Sequence, residues 1–204
     1  MSSARDQILT RVRDALAPLK ERAPLPDWDR DVVVLRQARG LTDPWPLFAE
    51  RLKAVNGTPL TSAADLVAFL AKQNAKHGYC DPALWPSLQA AFPADVKVET
   101  DFDRTRVDDY AFGITAASGA IAETGTLILT DNETSRRLGA LAPWVHVAVL
   151  RRAQIHHDIP AAVSALPKDP NIIWVTGPSK TADVEGILIE GVHGPGIQVA
   201  LLVD

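Results

Sequence analysis

Cysteine is almost absent: the 204-residue chain has Cys80 and no other. A single thiol excludes a disulfide framework within the chain. It also excludes an iron–sulfur cluster held by this chain alone, because such clusters usually take four thiolate ligands. A basic excess is missing too. Lys+Arg 21 against Asp+Glu 25 leaves a net charge of −4, which argues against a nucleic-acid binder that tracks phosphates. Apolar runs are short, and none approaches the roughly 18 residues of a bilayer span. The N-terminal residues lack the basic head, apolar run and small-residue cleavage site of a secretory signal, so a cytoplasmic protein is expected. Two phosphate-binding fingerprints are also missing. No Gly-Lys-Ser/Thr order marks a Walker A loop, and no G-x-G-x-x-G supports a standard dinucleotide site.

What is present reads as a globular protein, with 47% hydrophobic and 23% charged residues. The length allows one well-buried α/β domain, or at most a domain plus a small appendage. Ser3 and Asp6 have capping-box spacing, and Ile8, Val12, Leu16 and Leu19 recur at helical spacing behind them, which predicts an amphipathic helix over residues 3 to 17 docked on the main body. Residues 18 to 46 carry five of the fifteen prolines, with Trp28 and Trp45. Proline removes amide donors, so this stretch is expected to be an irregular arm, with only a short edge strand over Val32 to Leu35 in question. The expected organisation is a single domain over 1–204, with the helix and Pro-rich arm over about 1–45 and an α/β core over about 46–204.

Within the core the elements alternate. Leu47, Leu52 and Val55 predict a helix stopped by Gly57. Thr58 to Leu60 reads as a strand, and Ser62 with Asp65 opens a helix through Leu66, Phe69 and Leu70 that Gly78 is expected to close. Asp81 to Ala91 is a helix candidate, Val96 to Val98 a strand, and Asp101 to Asp109 a solvated loop. Strands are predicted at Phe112 to Ala116, Thr126 to Thr130, Val145 to Leu150, Ile172 to Thr176 and Gln198 to Val203. Several of these are apolar at successive positions, as in strands covered on both faces. Helices are predicted at Thr134 to Leu141 and Ile159 to Leu166. The alternation predicts an α/β fold with a largely parallel sheet and helices on both faces.

Nine of the twelve glycines lie from Gly113 onward, in two clusters of chemical interest. In the first, Ala120 to Thr126, small residues lead into a strand and Glu123 stands where an apolar residue would be routine. Glu123 reads either as a general base or nucleophile, or as the carboxylate of a tight turn satisfied by backbone amides or a cationic side chain. The second cluster, Gly177 to Gly186, follows the strand Ile172 to Thr176, and loops at the carboxyl ends of parallel strands bind ligands in α/β domains. There Ser179, Thr181 and backbone amides at a helix start, with Lys180 adding charge, suit a carboxylate or phosphate. The alternative is plain helix capping by Ser179 or Thr181.

His193, in the Gly191 to Gly196 turn, is a candidate to join that loop, whereas His146 inside an apolar strand reads as a core histidine bonded to a carbonyl. His156, His157 and Asp158 form a polar cluster, but neighbouring histidines point apart and rarely chelate one metal, so no metal site is expected. Cys80 reads as a buried thiol. Ser179, His193 and Asp183 imitate a hydrolase triad, but the G-x-S-x-G elbow is missing.

The segments GITAASGAIAETGTLIL at 113–129 and GPSKTADVEGILIEGVHGP at 177–195, the final VALLVD and the opening ARDQILTRVRDAL resemble the lactate-utilisation protein C (LutC) family of the LUD domain group. That resemblance implies a NagB/RpiA/CoA-transferase-like α/β fold. It implies a component of a system oxidising L-lactate to pyruvate together with iron–sulfur partner proteins, the clusters residing on those partners. By motif it marks Glu123 and His193 as catalytic candidates. It marks Thr124, Gly125, Thr126, Gly177, Ser179, Lys180, Thr181, Asp183, Glu185 and Gly194 as ligand-binding candidates for a small carboxylate or phosphate. Lys180 stands where arginine is expected, which keeps the charge and loses bidentate geometry. Ala122-Glu123-Thr124-Gly125 is also similar in outline to the Ser-Glu-Asn-Gly turn of class I CoA transferases. The alternatives are therefore a stand-alone transferase-like or ligase-like enzyme using Glu123, and a non-catalytic scaffold or regulatory subunit.

Overall fold

A computed structural model describes residues 3–19, 40–131, 137–182 and 187–203 of the chain. Two compact units divide it, residues 1–33 and 34–204. In the first, helix α1 (Ala4–Leu16) begins at Ser3, whose hydroxyl accepts from Asp6 N while the Asp6 carboxylate accepts from Ser3 N, the expected capping box. The Pro-rich arm between residues 20 and 39, with Trp28 and the edge strand proposed over Val32 to Leu35, lies outside the described residues.

The second unit is built on a six-stranded, wholly parallel sheet. Its order is β1 (Thr58–Leu60), β12 (Ile197–Leu202), β7 (Val145–Leu150), β4 (Phe112–Ala116), β2 (His77–Cys80) and β3 (Lys97–Glu99). Every residue of β7 is buried, as is β12 from Gln198 onward. The two faces sort by alternation. Val145, Val147, Val149, Val199 and Leu201 pack with Leu66 and Leu70 of α3 (Ala63–Lys72) and Leu88 of α4 (Trp85–Leu88). Ala148, Leu150, Ala200 and Leu202 pack with Trp45, Phe48 and Leu52 of α2 (Trp45–Ala54) and with a second sheet. That second sheet runs β8 (Ile155–His156), β5 (Gly119–Ile121), β6 (Thr126–Thr130) and β9 (Ile172–Val175), with β5–β6 and β6–β9 antiparallel. Helices α5 (Arg137–Leu141) and α6 (Ile159–Ala165) and the hairpin β10 (Lys180–Ala182) and β11 (Leu188–Glu190) complete the unit.

The mainly parallel α/β fold is therefore as expected, with local differences. Gly78 does not close a helix. α3 ends at Lys72, and Gly78 sits inside β2, facing the Phe112 ring where a Cβ would meet it at 2.4 Å. The helix expected over Asp81 to Ala91 shortens to α4 and one 3-10 turn, with Pro86 in the first turn. The expected solvated loop before β4 contains a 3-10 segment, Arg104–Asp109, tied to the sheet edge by Glu99. The Glu99 carboxylate accepts from Tyr110 OH at 3.0 Å and pairs with Arg106 at 2.7 Å and His77 at 3.1 Å. Lys97 beside it, with these partners, holds the Glu99 carboxyl far below the usual carboxylate range, and a charged edge strand discourages pairing with other chains. Where a helix start is expected in the second glycine cluster, Lys180–Ala182 instead pairs as a strand with Leu188–Glu190, residues 183–186 lying outside the described residues.

In the middle of the sheet, His146, 1% exposed, lies between Thr115 on β4 and Gln198 on β12. Its Nε2 is 2.9 Å from Thr115 Oγ1 and its Nδ1 3.0 Å from Gln198 Oε1, so its partners are side chains rather than the expected carbonyl. Burial pushes the imidazole pKa down to about 4. An unfolded chain takes up this proton near pH 6.5 and the folded one only near 4, so stability falls as pH drops through that interval, by on the order of 3 kcal/mol from this group. Burial and the neighbouring His157 lower His156 in the same direction. Denaturant unfolding at pH 7, 5.5 and 4.5 should show the loss in the wild type and a clearly shallower one in His146→Gln. Equal slopes in the two would remove His146 as its source.

Candidate functional site

The crossover helices change side along the sheet. The connections leaving β1 and β2 carry α3 and α4 on one face, and those leaving β4 and β7 carry the second sheet, α5 and α6 on the other. Right-handed crossovers impose this when strand order reverses, here between β2 and β4. At such a reversal the loops at the strand carboxyl ends part and leave a crevice, the usual ligand position in open α/β sheets. A cleft of about 750 Å³ lies there, lined from the carboxyl ends of β1, β2, β4, β7 and β12.

Its polar wall has Thr61 and Ser62 at the start of α3, and Arg151, Arg152 and Gln154 after β7; Leu84, Leu88, Val149 and Leu202 supply apolar wall. The β7 loop is braced. Gln154 Nε2 donates to Ala117 O at 3.0 Å, and its Oε1 accepts from Arg151 N at 2.7 Å. Arg152 donates to Asp43, a contact that, with the Trp45 amide, holds the Asp43 carboxyl below its ordinary pKa. Arg151 enters no ion pair among the described residues. On the far wall the Ser62 hydroxyl caps α3 through Asp65 N at 3.1 Å and donates to the Asp65 carboxylate at 2.6 Å. An arginine after a strand reads from sequence as a solvated loop residue, and only the strand order shows that Arg151 and Arg152 face a crevice. The legible signal was the Ser62–Asp65 cap.

The sequence-predicted residues gather elsewhere, around the C-terminal end of α2. There β6 pairs with β9, so the first glycine cluster meets the entry to the second. Thr124 Oγ1 is 2.7 Å from Thr126 Oγ1, which is 2.8 Å from Thr176 Oγ1. Gly125 (φ +66°) and Gly177 (φ +75°) press on the helix: a Cβ at Gly125 would lie 2.4 Å from Leu52 N, and one at Gly177 2.2 Å from Val55 O. Lys180 Nζ donates to Val55 O at 3.3 Å and pairs with Glu190 at 3.5 Å, which also accepts from Asn56 Nδ2 at 2.8 Å. Ser179 is a hub, with its N donating to Pro195 O and its O accepting from Gly191 N. Gly194 lies against it, so the Gly191 to Gly196 turn does adjoin the Ser179 loop. His193 is exposed on that turn and Thr181 sits in β10 opposite Ile189; Asp183 and Glu185 lie outside the described residues.

Glu123, 8% exposed, follows its structural alternative: Oε1 accepts from Ile159 N at 2.8 Å while Asp158 Oδ1 accepts from Ala161 N at 2.8 Å. Two carboxylates thus satisfy the free amides that open α6. Cys80 is buried, and desolvation with the nearby Asp81 charge pushes its thiol up to about 12, far from a reactive thiolate. Among the described residues no group of three His, Cys, Asp or Glu side chains is placed to hold a metal ion, and no helix is long and apolar enough to cross a membrane.

The fold is a doubly wound α/β domain with an arginine-bearing cleft over its reversal point, the position where open α/β sheets commonly take ligands. The LUD domain family model matches residues 62–203, including Ser62, Arg151, Arg152 and both glycine clusters. The chain belongs to the LUD domain family. It is 32% identical over 142 residues to lactate utilization protein C of Deinococcus radiodurans, the match covering 66% of each chain. It is 31% identical over 98 residues to lactate utilization protein C of Bacillus licheniformis, covering 44% of this chain and 41% of that one. The chain therefore matches between about two fifths and just under two thirds of the length of these relatives. A crystal structure of a DUF162 family protein from Deinococcus radiodurans superposes with a TM-score of 0.57 at 26% identity, covering 78% of this chain and 96% of that one.

The capping geometry makes the two roles of Glu123 separable. Glu123→Gln retains an oxygen for Ile159 N and should unfold within about 0.5 kcal/mol of the wild type, whereas Glu123→Ala should lose about 1 kcal/mol. Equal losses in thermal unfolding would show that the cap is not what the carboxylate supplies. Gly125→Ala sets a Cβ against the α2 backbone at positive φ and should cost on the order of 2–4 kcal/mol. A Tm within 2 °C of the wild type, about the smallest shift expected for even 1 kcal/mol, would contradict that packing.

Proposed function

We propose that this chain acts in lactate utilisation, as a cytoplasmic component that binds an anionic ligand and works with iron–sulfur partner proteins in oxidising L-lactate to pyruvate. Membership of the LUD family, with relatives named lactate utilization protein C, carries the reading. The composition supports the division of labour: with Cys80 as the one thiol, buried and far from its thiolate form, a four-thiolate cluster belongs on another chain. The cleft over the sheet reversal supplies the anion site. Arg151 faces it without an ion pair among the described residues, and Asp43 and Gln154 fix the loop that carries it. The glycine clusters act one step back, setting α2 against the second sheet through Gly125, Gly177 and Lys180. In this reading Glu123 and His193 are not required as catalytic groups, and Thr124, Thr126, Ser179 and Lys180 hold the scaffold.

The CoA-transferase-like alternative needs Glu123 as a free nucleophile, whereas its carboxylate caps α6. Incubation with an acyl-CoA followed by mass spectrometry is its test, an adduct on Glu123 being the result that would restore it. For the leading reading the experiment is removal of this chain from its source cells. Growth on L-lactate should be lost and growth on pyruvate kept, and a tagged chain should return cysteine-rich iron–sulfur proteins from lactate-grown cells. Undiminished growth on L-lactate would overturn the proposed role.

A further inference from the structure

The cleft is much larger than the acid in the proposed pathway. Lactate has six non-hydrogen atoms, and a site shaped for it alone would be a small, closely walled pocket; here about 750 Å³ is open. That volume lies in the range of sites for ligands of drug or cofactor size, roughly 300–1,000 Å³. The lining is divided by chemistry. Arg151 and Arg152 line the cleft in succession, in a loop braced by Gln154, with the Arg152 guanidinium paired to Asp43 and Arg151 in no ion pair among the described residues. Leu84, Leu88 and Val149, which pack in one apolar layer, supply apolar lining, and Leu202 adds to it from the opposite face of the sheet. Thr61 and Ser87 place hydroxyls beside that lining, Ser87 with its proton given to Leu84 O at 2.7 Å and its lone pairs left to accept.

A ligand matching all three zones has an anionic head, a hydroxyl-bearing middle and a flat or apolar body. Guanidinium groups recognise phosphate by paired hydrogen bonds, and a reversal crevice in a doubly wound sheet accepts an extended ligand across two strand ends. We propose that this cleft binds an organophosphate of nucleotide size, with its phosphate on Arg151 and Arg152 and its organic body along Leu84, Leu88 and Val149. The assignment rests on the reading of the cleft as the chain's anion site and names the class of ligand. Without a glycine-rich phosphate loop the site takes one phosphate group at the arginine end, so a mononucleotide is the natural probe.

Calorimetric titration of the full chain with AMP, inorganic phosphate and L-lactate tests it, using Arg151→Ala and Ala83→Trp as variants. Both substitutions fall at exposed positions, and unchanged thermal unfolding verifies that each variant is folded. AMP should bind at least about ten-fold more tightly than phosphate or lactate. Arg151→Ala should weaken AMP about ten-fold or more, the loss of a charge-assisted contact. Ala83→Trp should block AMP by filling the wall side while leaving the weak phosphate binding in place. Lactate binding as tightly as AMP and equally sensitive to Arg151→Ala would overturn the organophosphate and keep the cleft as an anion site. Binding of none of the three would remove both. AMP binding that neither variant changes would place the nucleotide elsewhere and overturn the proposal.

Discussion

Burial of β7 and β12 on both faces is the constraint from which the rest of the unit follows. Their side chains alternate between two apolar layers, so neither face can be left to water. Covering both requires crossovers on both sides, and right-handed crossovers on both sides require the strand order to reverse. The reversal opens the crevice between the β2 and β4 ends. The cleft is thus a by-product of covering a two-sided sheet, and evolution had only to furnish its rim.

A polar thread interrupts the otherwise apolar layers at Thr115, His146 and Gln198. The three lie on neighbouring strands and one face, Gln198 directly opposite His146 and Thr115 two residues beyond His146's partner Gly113, and Gln198 Nε2 also bonds to Val199 O at 3.1 Å. A one-residue slip of β7 would strand the imidazole in the opposite apolar layer, and one of β4 or β12 would take Thr115 or Gln198 from it, leaving a buried polar group unpaired at a cost larger than a single hydrogen bond contributes. The thread therefore acts on the pairing of the sheet more than on its affinity for any ligand.

The large apolar strands were legible because their runs are long and continuous: Phe112–Ala116, Thr126–Thr130 and Val145–Leu150 stand where periodicity puts them. β2 escaped because His77-Gly78-Tyr79-Cys80 is short and its glycine reads as a helix stop; the demand for glycine comes from the Phe112 ring on the next strand. In the second sheet β6 and β9 were legible and β5 was not, for a similar reason. Gly119–Ile121 is only three residues, two of them small, whose strand character comes from β6 and β8. The Gly177 cluster looked like the mouth of a helix because the residues that cap helices also make tight turns, and pairing of Lys180–Ala182 with Leu188–Glu190 decided the matter at long range. At the cleft the sequence showed the Ser62 cap and hid the arginines, whose meaning lies in strand order.

The position of β12 has a kinetic side. It follows all the other strands in chain order, yet it lies between β1 and β7, pairing Thr58 with Val199 across most of the sequence. During synthesis β1 has no parallel neighbour and β7 presents a bare edge until β12 emerges. The sheet then closes by insertion of a strand rather than by growth at its rim, with a high cost in loop entropy before the first long-range contact is made. From the synthesis of β7 until that of β12 the nascent domain therefore exposes two apolar strand edges, each a template for pairing with another chain.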